Sequence, residues 1–252
     1  MTRSASPSRV SSSAHSARPA HRLAAISHRN PSDTGGVTEL AMFPLGSVLF
    51  PHMPVLLRVF EDRYLVMLST ILQDEPSEFG IALIERGQEV GGGEQRFGTA
   101  TVARITQLDA TEGFVVLVAE GGRRVAVEEW LEEDPYPRAR VRELPELEWN
   151  DELQSLRDDA EADVRRILAL SSEFTETIWP SDIALAEDPV AAAWQLAAIA
   201  PLGSLDQLAL LGSESCEQLL TRLIELVGEA EETLRAPWAD GDLDLDDIDR
   251  DD

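Results

Sequence analysis

The stretch MFPLGSVLFPHMPVLLRVFEDRY, residues 42–64, decides how the first half of the chain folds. Three prolines and a glycine interrupt its apolar residues: Pro44, Gly46, Pro51 and Pro54. Each proline lacks a backbone donor and has a fixed φ, so a helix cannot continue through this spacing. The residue before each proline is also pushed towards extended geometry. The stretch therefore predicts two short strands, over residues 40–45 and 55–60, with a tight turn between them.

The segments that follow predict one helix and then several more strands. Leucines that recur every three or four residues indicate a helix over residues 64–74. Short apolar runs bounded by turn residues indicate strands over residues 79–84, 97–108, 114–119, 123–130 and 138–143. We interpret Glu120-Gly121-Gly122 as a turn between two of these strands, and the glycine-rich segment 85–95 as a loop. Short strands joined by small turns predict a closed or partly closed antiparallel β unit.

The second half of the chain is predicted to be helical. Apolar residues recur with the helical period over residues 151–178, which predicts an amphipathic helix packed on a core. Asp188 followed by Pro189 predicts the start of a second helix, which is apolar all round and therefore buried. A short helix over residues 204–211 and a long last helix capped by Ser213 complete this half.

The predicted organisation has four parts. They are a tail over residues 1–36, a β-rich part over 37–146, a helical part over 147–238 and an acidic tail over 239–252. The first tail has five arginines, one acid and no apolar periodicity, which predicts disorder. A targeting signal and a start of translation near Val37 are alternatives. The last tail has eight aspartates, which predicts a solvated disordered segment, with a short docking motif as the alternative.

Composition excludes several kinds of chemistry. All 21 basic residues are arginine, so a lysine-containing phosphate loop, a Ser–Lys dyad and a lysine Schiff base are absent. A net charge of −26 disfavours nucleic acid, because affinity for a phosphate backbone depends on basic side chains. No apolar run approaches the roughly 18 residues that would cross a bilayer. The single cysteine, Cys216, predicts a buried helix residue and suits a cytoplasmic location.

No catalytic residue, metal site or cofactor is predicted. His52 is the one histidine outside the N-terminal tail, and it lies in a proline-rich turn with no second catalytic group nearby in sequence. No cysteine and histidine spacing fits a zinc site. We therefore expect a protein that is not an enzyme.

Several of these segments resemble a known family. The opening stretch is similar to the start of the Lon protease N-terminal domain, a substrate-binding module, at Phe43, Pro44, Leu45, Gly46, Val48, Leu49, Phe50, Pro51, Pro54, Phe60, Glu61, Arg63 and Tyr64. The segments FGTATVARI and GGRRVAV match as well. A looser match in the helical half involves Pro201, Leu202, Gln207, Leu210, Leu211, Ser213 and Leu223. The family pattern has a glycine where this chain has His52.

The resemblance implies an α+β fold, with a PUA-like antiparallel β pseudo-barrel, one inserted helix and a following α-helical subdomain. It covers the N-terminal region of Lon, without the ATPase and protease domains. It implies a non-catalytic module that binds unfolded or degradable polypeptides, as an accessory or adaptor in protein quality control, with a protease as a second candidate partner. The alternative is a PUA-like small-ligand or RNA-binding protein, which the negative charge disfavours.

Three aromatic residues are the candidate contacts for a bound polypeptide: Phe60, Tyr64 and Trp130. For each of them a place in the core is the alternative role. Glu61 and Arg63 are expected to form a local ion pair. An edge of the predicted sheet is a second candidate, because an extended peptide can pair with an exposed strand.

Overall fold

A computed structural model describes residues 36–73, 75–84, 96–173 and 179–235. Its first half is a sheet with one inserted helix, and its second half is helical, so the predicted α+β architecture is confirmed. Some predictions concern residues outside these ranges. They are the N-terminal tail up to residue 35, the loop over 85–95, the helix end over 174–178 and the acidic tail over 239–252.

Six strands and one helix form the first half. The strands are β1 at Val37–Leu45, β2 at Pro54–Val59, β3 at Glu78–Ile84, β4 at Arg96–Thr111, β5 at Phe114–Trp130 and β6 at Arg138–Glu143. The inserted helix, α1, covers Asp62–Ile71 between β2 and β3. It begins two residues earlier than the leucine spacing predicted.

The sheet closes on itself. Its strand order is β2-β5-β4-β3-β1-β6, and β6 pairs in turn with the C-terminal part of β5. Five strands therefore form a ring, while β2 pairs with the N-terminal part of β5 outside it. The predicted antiparallel barrel needs one refinement, because β1 and β3 pair in parallel with the inserted helix between them.

Strand β5 is continuous, so the turn predicted at Gly121 and Gly122 is wrong. The glycine at 121 serves a close approach of two backbones, because a Cβ atom there would lie 2.2 Å from the carbonyl oxygen of Phe50. Glycine inside a strand commonly marks such an approach. The segment between β1 and β2 crosses β5 at this point, where the His52 N–H donates to the Gly121 oxygen at 2.8 Å.

The same crossing explains why a glycine would suit position 52, where this chain has a histidine. This residue has φ of 60°, in the left-handed region that favours glycine. The neighbouring backbone is held by further hydrogen bonds, from the Gly121 N–H to the Met53 oxygen at 2.9 Å and from the Thr101 hydroxyl to the Leu49 oxygen at 2.6 Å. Histidine therefore adopts the conformation that a glycine would take without strain.

Small apolar side chains fill the inside of the ring. They form one buried cluster of Met42, Ala82, Ala100, Val102, Val125, Ala139 and Val141, with Leu40, Val127 and Trp130 packed against it. A second, larger cluster lies on the outer side of the ring and includes residues of both halves of the chain. The rings of Phe50 and Trp194 meet in it, with centroids 6.0 Å apart.

Four helices form the second half: α2 at Gln154–Ser171, α3 at Pro189–Ile199, α4 at Ser204–Leu211 and α5 at Cys216–Arg235. A short 3-10 turn over Asp151–Leu153 precedes α2. The predicted cap of α3 is confirmed, because the Asp188 side chain accepts a hydrogen bond from the Ala191 N–H. The predicted cap of α5 is wrong by two residues. The hydroxyl of Ser215, rather than Ser213, accepts from the Gln218 N–H at 3.1 Å.

A buried arginine joins the two halves. Arg124 of β5 donates to the carbonyl oxygens of Leu211 at 2.8 Å, Ser213 at 2.6 Å and Pro145 at 2.8 Å. Its guanidinium carbon lies 4.9 Å from the centroid of the Trp194 ring. Burial lowers the pKa of this guanidinium, and the C-terminal end of α4 offers carbonyl groups that lack helical partners. We call this group of five residues the Arg124 clasp.

Candidate functional site

Strand β2 has a free edge. Within the described ranges every other strand pairs on both sides, whereas β2 pairs with β5 alone. Side chains alternate between the two faces of a strand. On β2 the residues at 54, 56 and 58 are exposed and those at 57 and 59 are buried. Phe60 continues the exposed series, so that Leu56 is 71% exposed and Phe60 65% exposed.

The neighbouring part of β5 extends this apolar surface. Leu56 lies opposite Val118 and Arg58 lies opposite Val116, so these side chains share one face of the sheet. Neither of the two buried clusters includes Phe114, Val116 or Val118. We call this surface the β2 face. It consists of Leu56, Arg58, Phe60, Phe114, Val116 and Val118.

The opposite side of the same strands is fully occupied. Leu57, Val59, Leu117 and Ala119 are buried in the larger cluster. Burial of Leu57 and Val59 fixes β2 against the core, because each contributes roughly 1.5–3 kcal/mol. The free edge is therefore presented on a rigid support.

Arg58 places a positive charge in the middle of the β2 face. Its guanidinium carbon lies 4.1 Å from the centroid of the Phe114 ring, a cation–π contact. Stacking on a ring leaves the N–H groups at the edge of the guanidinium plane available to an acceptor. Within the described part of the chain, no carboxylate lies within ion-pair distance of Arg58.

The three predicted contact residues lie in different environments. Phe60 is mostly exposed and belongs to the β2 face. Tyr64 is 5% exposed and stacks on Phe43 with ring centroids 4.1 Å apart, so its ring is part of the core. Trp130 is partly buried against the cluster inside the ring. The contact role of these residues stays a prediction, which burial makes weaker for Tyr64 than for Phe60.

The expected ion pair of Glu61 and Arg63 is present, with Arg63 Nε 3.0 Å from Glu61 Oε2. Arg63 also contacts Glu133, at 2.5 Å, in the segment that follows Trp130. This second contact brings the start of α1 beside the end of β5.

Most of the β2 face was missing from the sequence prediction. Leu56, Phe114, Val116 and Val118 lie in segments that were predicted as strands, and neither they nor Arg58 were among the predicted contact residues. A signal was present, since Leu56, Arg58 and Phe60 alternate with Leu57 and Val59. Both sets are largely apolar, however, so alternation alone could not tell the core side from the exposed side.

The three arginines of β6 are paired with acids. Arg138 contacts Glu39 at 2.6 Å, and Arg140 contacts Glu129 at 2.6 Å. Arg142 contacts Glu128 in the same way, at 2.8 Å. The charges of these three arginines are compensated locally, so they do not form the kind of uncompensated basic patch on which affinity for a phosphate backbone depends.

Other features of the described residues do not form a reactive site. No group of three or more metal-ligating side chains is present among them. Cys216 is buried, and burial raises the pKa of its thiol. A shallow open depression of about 380 Å³ lies along α5, with a polar lining that includes Glu217, Arg222 and Glu225. Within the described ranges, no helix has the length and apolar character to cross a membrane.

A closed small sheet with one inserted helix, joined to a helical half by a buried clasp, defines the class of fold. The chain belongs to the family of the ATP-dependent protease La (LON) substrate-binding domain, whose sequence model matches residues 39–229. This match covers most of the chain and confirms the resemblance seen in the sequence. No curated protein is significantly similar to the chain.

Two solved structures share this fold. The first is a Lon N-terminal domain protein from Xanthomonas campestris, with 26% identity and a TM-score of 0.54. The alignment covers 75% of this chain and 98% of the Xanthomonas campestris chain. The second is the N-terminal domain of Lon protease from the Mycobacterium avium complex, with 17% identity and a TM-score of 0.55. The alignment covers 76% of this chain and 99% of the Mycobacterium avium complex chain.

Proposed function

We propose that this protein is a non-catalytic polypeptide-binding module in which an extended apolar segment pairs with the free edge of β2. Alternate side chains of the bound segment lie beside Leu56, Arg58 and Phe60 of the β2 face. The observation that carries this proposal is the coincidence of an unpaired strand edge with exposed apolar side chains that neither core cluster uses. Membership of a substrate-binding family supports it.

The physical basis is strand addition. Backbone groups of β2 that point away from β5 can pair with an extended peptide, which gives affinity without requiring one sequence. Burial of Leu56 and Phe60 would add roughly 1.5–3 kcal/mol each. Association and ordering of the peptide cost several kcal/mol. The net affinity is therefore weak, which suits a module that must release its clients.

Charge shapes the choice of clients. A net charge of −26 attracts polypeptides that carry arginine or lysine in the regions flanking their apolar segment and repels nucleic acids. Unfolded and degradable polypeptides expose such apolar segments, whereas folded proteins bury them. We therefore propose a role in protein quality control in the cytoplasm, as an accessory or adaptor that can present clients to a protease.

The proposal is tested by binding of a permanently unfolded protein. Fluorescently labelled lysozyme, a basic protein that stays unfolded when reduced and alkylated, would be titrated with the full chain and followed by anisotropy. The double variant Leu56→Ser with Phe60→Ser should weaken binding about tenfold or more, because most exposed apolar area of the β2 face is lost.

A matched control is available in the helical half. Leu205 of α4 is 64% exposed, close to the exposure of Phe60. Leu205→Ser should leave binding unchanged. Equal binding by the double variant and the unchanged protein would show that the β2 face is not the site. Turnover of ATP or peptide by the purified chain would contradict the non-catalytic part of the proposal.

A further inference from the structure

The free edge of β2 also suggests which client sequences bind there, and this second proposal rests on the proposed function. We propose that the β2 face selects segments of the form apolar–any–acidic–any–apolar, in which the central carboxylate binds Arg58. The juxtaposition that carries this is an exposed arginine flanked on its own strand by Leu56 and Phe60, at positions two residues away on either side.

The spacing of the three side chains defines the pattern. Residues two apart on a strand lie roughly 6.6–6.8 Å apart on the same face. A strand added beside β2 has the same repeat, so its alternate side chains lie beside Leu56, Arg58 and Phe60. Because the order apolar, cationic, apolar is symmetric about Arg58, the same client pattern fits in either strand direction.

The surroundings of Arg58 make its charge available to a client. On the same face its neighbours in β5 are Val116, directly opposite, and Phe114, whose ring it covers. Apolar neighbours reduce the local dielectric constant, which strengthens an ion pair relative to one in open water. A carboxylate can approach the edge of the stacked guanidinium and accept two parallel hydrogen bonds.

The acid on this face nearest to Arg58 along the ladder is a poor internal partner. Asp109 of β4 lies opposite Val116, so its position is two strands away from that of Arg58. Adjacent strands are about 4.8 Å apart, which places the two backbones roughly 9.6 Å from one another. By contrast, Arg140 and Arg142 of β6 each have a carboxylate partner within 2.8 Å.

The experiment compares three peptides that differ at the central residue and in one compensating charge at the C-terminus. Each has two leucines at positions two before and two after the central residue, which is glutamate, glutamine or lysine. Other positions are serine and threonine, and a compensating charge at the C-terminus keeps every peptide neutral. Anisotropy titrations of the labelled peptides with the full chain should give tighter binding for glutamate than for glutamine, and weakest binding for lysine, over a range of about five- to tenfold.

A charge reversal at Arg58 should reverse the order. With Arg58→Glu the lysine peptide should bind most tightly and the glutamate peptide least tightly. Arg58→Gln should bind the three peptides equally, and it guards against an effect of the reversal on folding. Arg222→Glu changes the net charge equally on α5, where Arg222 is exposed, and should keep the original order.

The outcomes separate this inference from the proposed function. If the three peptides bind the unchanged protein equally, and Leu56→Ser with Phe60→Ser weakens all of them, the selection by Arg58 is wrong while the site stands. If Arg222→Glu reverses the order as Arg58→Glu does, the effect is one of net charge and the inference is wrong. If no peptide binds and the unfolded protein binds the double variant normally, both proposals fail.

Discussion

The β2 face and the Arg124 clasp use the same contact for different purposes. In each of them an arginine lies over an aromatic ring, Arg58 over Phe114 at 4.1 Å and Arg124 over Trp194 at 4.9 Å. Arg124 is buried and donates to three carbonyl oxygens, whereas Arg58 is exposed and its N–H groups have no carboxylate partner in the described residues.

Stacking on an aromatic ring therefore does not by itself decide whether an arginine has a structural role or a binding role. At the clasp, the surrounding backbone already satisfies the donors, so the residue holds two halves of the protein together. At the β2 face, the ring orients the guanidinium, and no carboxylate of the described residues accepts from it. When the N–H groups of a stacked arginine have no acceptor within the protein, the arginine is a candidate ligand contact. When backbone carbonyls accept from all of them, the arginine is a candidate structural link.

The same substitution at both arginines gives the sharpest test of this contrast. Arg124→Met leaves three buried carbonyl groups without their donor, so we expect a loss of about 3–4 kcal/mol in the free energy of unfolding. Arg58 is exposed, so Arg58→Met should change the free energy of unfolding by less than about 0.5 kcal/mol. Urea denaturation followed by circular dichroism measures both. Arg140→Met, which breaks an exposed ion pair, is a further control with an expected loss under about 1 kcal/mol. Equal losses at Arg124 and Arg58 would contradict the distinction between joint and site.

The crossing at Gly121 lies on β5 between the two regions and gives the second largest effect. Gly121→Ala places a methyl group against the Phe50 carbonyl oxygen, so we expect a loss of about 2–3 kcal/mol. Gly122→Ala is the matched control, because its nearest neighbour, the Val102 oxygen, is 3.5 Å away. Thermal unfolding should separate the melting temperatures of the two variants by about 4–12 °C for a domain of this size, using roughly 2–4 °C per kcal/mol. If both variants melt together, β5 does not need the close approach.

A gain of stability is expected at His52, and it is the smallest of these effects. His52→Gly relieves a left-handed backbone conformation, which costs roughly 1–2 kcal/mol for a residue with a side chain, while glycine adds flexibility to the unfolded chain. The net gain should be about 0.5–1 kcal/mol in urea denaturation. His52→Ala keeps the strain and should give no gain. Peptide binding should be unchanged in both, because His52 is not part of the β2 face; altered binding would show that the crossing also shapes the site.

Much of the fold was predictable because its signals are local. The prolines of residues 42–64, the leucine repeats and the Asp188–Pro189 helix start each act within a few residues of the chain. The continuous β5, the parallel pairing of β1 with β3 and the clasp depend on contacts between distant segments. Gly121 shows the limit clearly, since the same residue type marks a turn in one context and a backbone crossing in another.

The candidate site was predictable only in part. Phe60 was recognised from the family resemblance, and a sheet edge was anticipated without knowing which strand would supply it. Only the pairing of β2 with a single neighbour identifies the edge. Arg58 could not be distinguished by sequence from other surface arginines, because its isolation from carboxylates arises from the packing of β4 and β5.

One-sided pairing of β2 gives the molecule a built-in reporter of occupancy. In an antiparallel ladder, alternate amides of an edge strand point towards the neighbour and the others point to solvent. The first set should resist deuterium uptake and the second should exchange rapidly, as expected for amides without a partner. A segment that adds to the edge would slow only the second set. Isotope labelling of the unmodified protein can therefore reveal both that a client is bound and which backbone groups hold it.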